Sequence, residues 1–137
     1  MKEITEYCCD FETAKLLKEK GFDEKTSHVY YYYEEDDGWT FEQLLPHEKF
    51  EKDKMIHCPT QALAMKWLRE QGFYIQIDID VDYDEDERGT KWYYEPAWDW
   101  AVFRIDERKQ MSDNGALYAT YEQAAEVAIK WCLENLI

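Results

Sequence analysis

Residues Tyr74-Ile75-Gln76-Ile77-Asp78-Ile79-Asp80-Val81-Asp82-Tyr83-Asp84 alternate bulky apolar or aromatic side chains with polar ones, and then run into Glu85-Asp86-Glu87. A period of two places every second side chain on the same side of a β-strand, so one face of this segment is apolar and the other is a row of carboxylates. The chain must therefore build a sheet with one solvated and one buried face. The buried face needs apolar cover, and helices with a matching apolar stripe supply it.

Three segments have that stripe. The first begins near Asp10 and sets Tyr7, Phe11, Ala14 and Leu17 on one side. The second begins around Cys58-Pro59-Thr60, where proline suits the first helical position, and buries Leu63, Ala64, Trp67 and Leu68. The third closes the chain behind a Thr120/Gln123 capping-box pattern, with Ala124, Ala125, Ala128, Trp131, Cys132 and Leu136 on a wide apolar face. The first two share an ending, Leu17-Lys18-Glu19-Lys20-Gly21-Phe22 and Leu68-Arg69-Glu70-Gln71-Gly72-Phe73. Glycine in the left-handed position beyond each helix would bring Phe22 and Phe73 back over Leu17 and Leu68. Thr40-Phe41-Glu42-Gln43 repeats the capping signature and predicts little more than one helical turn before Pro46.

The extended segments are Val29 to Glu34, ending at the turn Asp36-Asp37-Gly38; Phe73 to Asp84; and Trp92 to Asp106, interrupted at Pro96. Glu85 to Lys91, with Arg88-Gly89, reads as a hairpin loop, and residues 47–57 read as polar loop. The expected fold is one α+β domain over residues 1–137, with a small antiparallel sheet of about three strands covered on one face by about three helices.

Two helical runs carry a resemblance. Cys58-Pro59-Thr60-Gln61-Ala62-Leu63-Ala64-Met65-Lys66-Trp67-Leu68-Arg69-Glu70 and residues Tyr121 to Ile137 resemble small uncharacterised proteins of phages and mobile elements of Bacteroides-type gut bacteria. The resemblance covers about a quarter of the chain, rests on helix-forming and core-facing positions, and implies a genomic setting without an active site.

Charge restricts the partners. The formal charge is -15, and it is spread evenly: residues 1–60 hold 8 Lys/Arg against 15 Asp/Glu, and residues 61–137 hold 8 against 16. Phosphate backbones and anionic membranes are repelled, so neither direct nucleic-acid binding nor membrane binding is expected. Lys49, Lys52 and Lys54 come nearest to a basic run, but Glu48, Glu51 and Asp53 alternate with them. The first residues contain no apolar signal core, and the chain is expected to be cytoplasmic. Cys8, Cys9, Cys58 and Cys132 lack the Cys-x-x-Cys spacing of zinc and redox sites and are expected to be free thiols.

Chemical motifs are few. Asp78, Asp80, Asp82, Asp84 and Asp86 suggest a calcium loop, but a loop starting at Asp78 puts Tyr83 where glycine belongs and Gly89 where the bidentate acid belongs; starts at Asp80 and Asp82 fail likewise. Cys58 lies beside His57 at a helix start, yet a Cys-x5-Arg loop finds Ala64 at the arginine position. His28, His47 and His57 have no metal-ligand spacing. No metal, cofactor or catalytic residue is assigned. A small enzyme using Cys58 or an acidic metal pocket stands as the alternative.

The leading expectation is a protein-binding surface. Its candidate residues are Asp78, Asp80, Asp82, Asp84, Glu85, Asp86 and Glu87 on the acidic strand and its loop, Glu34, Glu35, Asp36 and Asp37 in the first hairpin turn, and Trp98 from the aromatic run Trp92-Tyr93-Tyr94-Glu95-Pro96-Ala97-Trp98-Asp99-Trp100, where exposed rings among acids resemble a protein-binding hot spot. Its most specific form is an inhibitor or DNA mimic occupying a basic nucleic-acid enzyme of the host; a self-associating accessory protein, for example a homodimer, is the weaker form. Strand carboxylates recur about every 6.7 Å against one charge per ~1.7 Å in duplex DNA, so the row has about a quarter of the required density. Mimicry therefore requires the acidic segments to share one surface. A solvated strand face explains the row without any partner.

Overall fold

The computed structural model describes residues 7–46, 49–113 and 116–137. The elements are α1 (Phe11–Glu19), β1 (His28–Tyr33), β2 (Gly38–Gln43), a 3-10 turn at Lys52–Lys54, β3 (Met55–Cys58), α2 (Gln61–Glu70), β4 (Phe73–Asp80), β5 (Tyr83–Glu85), β6 (Lys91–Tyr93), β7 (Ala97–Arg104), β8 (Lys109–Asp113) and α3 (Tyr121–Asn135). The fold is α+β, with all strand pairs antiparallel.

The helix termini follow from local chemistry. Asp10 caps α1 by accepting from Thr13 N–H at 2.9 Å, and Thr120 caps α3 by accepting from Gln123 N–H at 3.1 Å. After α1, Gly21 has φ 103° and Phe22 N–H donates to Leu17 C=O at 2.9 Å, the six-to-one bond that turns Phe22 back onto the helix. Gly72, with φ 101°, ends α2 with its own N–H donating to Arg69 C=O at 3.0 Å, the bond that Gly21 N–H makes to Lys18 C=O after α1. Helix α2 starts later than its proline suggests. Thr60 is its cap, accepting from Leu63 N–H at 3.1 Å, and Pro59 lies before it because Ile56, His57 and Cys58 are already engaged in β3 against β1.

The expected sheet is three sheets. Strands β2, β1 and β3 form one, with β1 central; β4, β7 and β8 form another, with β7 central; and β5 and β6 pair as a two-stranded ribbon. Thr40 to Gln43, with its helical capping pattern, belongs to β2, since Tyr31 lies opposite Thr40, Tyr30 opposite Phe41 and Tyr32 opposite Trp39, and cross-strand aromatic pairing outweighs a one-turn helix. Of the segment read as loop, residues 55–57 belong to β3, while His47 and Glu48 lie outside the described residues.

The core joins α2 and α3 to the inner face of β4 and β7, and α1 packs on α3 and on β3 of the first sheet. Phe73 and Ile75 on β4 and Trp100 and Val102 on β7 meet Leu17, Leu68, Ala125, Ile129 and Leu133. Opposite them, the alternation of β4 and β7 sends Tyr74, Gln76, Asp78, Asp80 and Asp99 to a face that no described helix covers.

Candidate acidic and aromatic surface

The acidic strand divides at Asp80. Up to that point β4 pairs with β7 in one register, Asp78 opposite Asp99 and Asp80 opposite Ala97. Pro96 has no N–H to give to a ladder, and the register shifts by one across it, so that Tyr94 N–H reaches Asp82 C=O at 2.9 Å before β5 and β6 resume pairing. The ribbon turns through Glu87-Arg88-Gly89 between Asp86 and Thr90, with Gly89 at φ 82°. That is a three-residue hairpin loop whose last residue is left-handed.

Every residue from Asp78 to Pro96 is exposed. Alternation divides the ribbon's side chains into two faces. Tyr83 and Tyr93 lie opposite each other with ring centroids 5.4 Å apart, and Lys91 Nζ sits 4.8 Å over the Tyr83 ring. Asp84 lies opposite Trp92 on the other face, where the Tyr94 hydroxyl donates to the Asp84 carboxylate; that bond holds the Tyr94 hydroxyl above the usual phenol range. Trp92, Tyr93 and Tyr94 remain 65%, 63% and 54% exposed.

The candidate acids have different local roles. Asp86 is structural: its Oδ1 accepts from Arg88 N–H and Thr90 N–H, both at 2.9 Å, and the Thr90 bond leads in holding its carboxyl below the usual range. Glu85 stands across from Lys91, and Glu87 is in the exposed loop. Asp78 faces Asp99 directly, an unfavourable like-charge pair, and its two carboxylate oxygens share the Gln76 side-chain amide as donor, at 3.1 and 3.0 Å. Asp80 and Asp82 follow it, and Asp82 accepts from Tyr83 N–H at 2.8 Å.

Glu34, Glu35, Asp36 and Asp37 form the turn between β1 and β2, on a different sheet from Asp78 to Glu87. Glu34 is neutralised by Lys54 at 2.8 Å, whose hydrogen bond holds its carboxyl below the usual range, and Asp37 accepts from the Tyr32 hydroxyl. No hydrogen bond or ion pair among the described residues links this turn to the acidic strand. Trp98 faces the helices, edge-on to Tyr121 at 5.6 Å, and is half-buried. Within the aromatic run Trp92 to Trp100 the sequence pointed to Trp98, whereas the exposed rings are Trp92, Tyr93 and Tyr94, with Tyr83 across from Tyr93, because an aromatic run on a strand does not announce which of its rings helices will cover.

Cys58 is enclosed. Its thiol donates to Cys9 C=O at 3.0 Å at the end of β3, and burial pushes it up to about 12, so it lacks the thiolate a nucleophile needs. Among the described residues no group of three or more His, Cys, Asp or Glu side chains is placed to hold a metal ion, and no helix is long and apolar enough to cross a membrane. No protein-family model matches the chain, and no curated protein or solved structure matches it.

Proposed function

We propose that this chain is a protein-binding module that grips a basic partner with the β5–β6 ribbon. The observation that carries the reading is the continuous exposure of residues 78–96 together with their composition: eight acids against two bases, interleaved with Tyr83, Trp92, Tyr93 and Tyr94. An isolated two-stranded ribbon is marginal in water, and four large rings on it bury little without a partner. Tyrosine and tryptophan are the side chains that anchor protein interfaces, while surrounding carboxylates select a basic surface and speed the encounter. At ~200 Å² per ring, the exposed parts supply about 240 Å² on the Trp92 and Tyr94 face and about 210 Å² on the Tyr83 and Tyr93 face, so a partner that closes on both faces of the ribbon gains a little over half of its ~800 Å² share of a standard interface. The adjoining Asp78, Asp80 and Asp99 face extends this surface.

In this reading the module works in the cytoplasm, in the phage or mobile-element setting that its helical runs resemble, and its partner is a basic host protein. Mimicry of DNA is the less favoured form, since Glu34 to Asp37 lie on another sheet and Glu34 is already paired. The test is capture from bacterial lysate by the wild-type chain, by Trp92→Ser with Tyr93→Ser, and by Asp82→Asn with Asp84→Asn, each at low and high salt. Loss of the captured protein with the aromatic pair, and loss of its salt sensitivity with the aspartate pair, is expected. Capture unaffected by the aromatic pair sinks the proposal; concentration-dependent dimerisation without capture replaces it with self-association.

A further inference from the structure

We propose that the cavity between the end of α1 and β3 binds a small organic phosphate monoester with an apolar body. It has a volume of about 570 Å³, within the usual range for a small-ligand site, and its lining combines Lys18, Lys25, Lys52 and His57 with Phe22 and Met55. In a chain with 31 acids and 16 Lys/Arg, this lining holds three lysines and one acid, Asp23. The lysines come from three separate segments, which is why no basic run in the sequence announces them.

The cations are available to a ligand. Lys54 is held by Glu34 and Glu51 at 2.8 and 3.2 Å, whereas Lys25 and Lys52 have no acidic side chain within 4 Å among the described residues. Lys18 donates one hydrogen to Met55 C=O at 3.0 Å and keeps two. A second hollow of about 510 Å³ shares Lys25 and adds Lys66 and Arg69 with no acid in its lining, so the positive potential extends beyond the cavity.

His57 defines the remaining polarity. The Thr26 hydroxyl gives its only hydrogen to His28 C=O, so at 3.0 Å from His57 Nδ1 it accepts, and Nδ1 carries the proton. Nε2 is then left with its lone pair. Burial first, then Lys18 and Lys25, hold the ring's protonated form below its usual range. Lysine ammonium groups match a doubly charged head, the His57 ring takes up a proton at Nε2 and donates it to a phosphate oxygen when that charge arrives, and Phe22 and Met55 border the place of an apolar substituent.

The experiment titrates wild-type chain with phenyl phosphate, inorganic phosphate and benzyl alcohol while amide and imidazole NMR signals are followed. Phenyl phosphate should give saturable shifts at Phe22, Lys25, Lys52 and His57, with a Kd of about 1 mM or tighter, and raise the His57 midpoint by about half a pH unit or more. Inorganic phosphate should bind more weakly and benzyl alcohol should not saturate. Lys25→Gln with Lys52→Gln should weaken phenyl phosphate by about tenfold or more while distant signals stay native. No saturation at these residues, equal affinity in the double variant, or equal binding of inorganic phosphate or the alcohol overturns the proposal. The His57 midpoint is read on the wild-type chain and stands independently of the variant's folding.

Discussion

Glu126 joins the three helices, and its replacement should cost more than its position on α3 suggests. One carboxylate oxygen accepts from Asp10 N–H at 2.6 Å, at the cap of α1, and the other accepts from Gln61 Nε2 at 2.9 Å, at the start of α2. Gln61 is only 4% exposed, and its second amide hydrogen is committed to Glu122 C=O at 2.8 Å. In Glu126→Ala the first hydrogen is stranded, at about 1–3 kcal/mol, while Asp10 N–H turns to water at a cost of a few tenths. Releasing a partly buried charge offsets some of this, leaving about 2 kcal/mol, or a fall in Tm of about 6–8 °C for a domain of this size. Thermal unfolding at neutral pH measures it; a fall below about 2 °C refutes the reasoning. The pH dependence gives a second check. Burial, outweighing the hydrogen bonds from Asp10 N–H and Gln61, holds the Glu126 carboxyl above its ordinary value of 4.5. Between the ordinary and the raised value the folded chain holds more of the proton than the unfolded chain, so stability falls as pH rises through that window, and the loss is complete above the folded value. Glu126→Gln should remove this slope, and a slope identical to wild type would contradict the assignment.

Three further outcomes are expected. Gly21→Ala and Gly72→Ala should each lower stability by about 1–2 kcal/mol in urea unfolding, and by similar amounts, because a Cβ meets nothing within 4 Å at either site and the cost is backbone strain at φ 103° and 101°. In native chain at pH 8 a thiol reagent should modify the half-buried Cys8 first, while Cys9, Cys58 and Cys132 wait for unfolding, since all three are buried and burial pushes the last two up to about 12; fast modification of Cys58 is the contrary result. Asp86→Ala should open the ribbon and leave the body intact, read as loss of the Tyr83–Tyr93 ring-current shifts with an unchanged core spectrum. Acid should act in the same direction, because the folded-state carboxyl lies below its ordinary value and its contribution is lost as pH falls through the folded value.

Helix boundaries were the legible part of this fold because caps and stops are decided within a few residues. Asp10, Thr120, Gly21 and Gly72 act where local pattern places them. Strands were less legible, since their identity depends on a neighbour. Thr40 to Gln43 carries a helix signature and becomes β2 because tyrosines of β1 lie across from it; Lys109 to Asp113 carries little strand signal and becomes β8 because the open side of β7 accepts it. Pro96 was visible as an interruption, but its effect, dividing one long hairpin into a covered sheet and an exposed ribbon, depends on where the helices end. The acidic row was legible residue by residue, whereas the exposure of Trp92, Tyr93 and Tyr94 was not. The lysine-lined cavity was hidden altogether, because Lys18, Lys25 and Lys52 meet only after folding.

Among the described residues strand β4 is the outer member of its sheet and nothing pairs with its other side, which is the kind of backbone template on which another chain can add a strand. Asp78 and Asp80 stand beside that side, so a second copy arriving edge to edge brings the same charges against them. Colloidal stability at this edge is therefore electrostatic in origin and borrowed from the solvent: concentrated salt, which shortens the reach of charge to about 3 Å at 1 M, should turn a repellent edge into an adhesive one while the native fold persists.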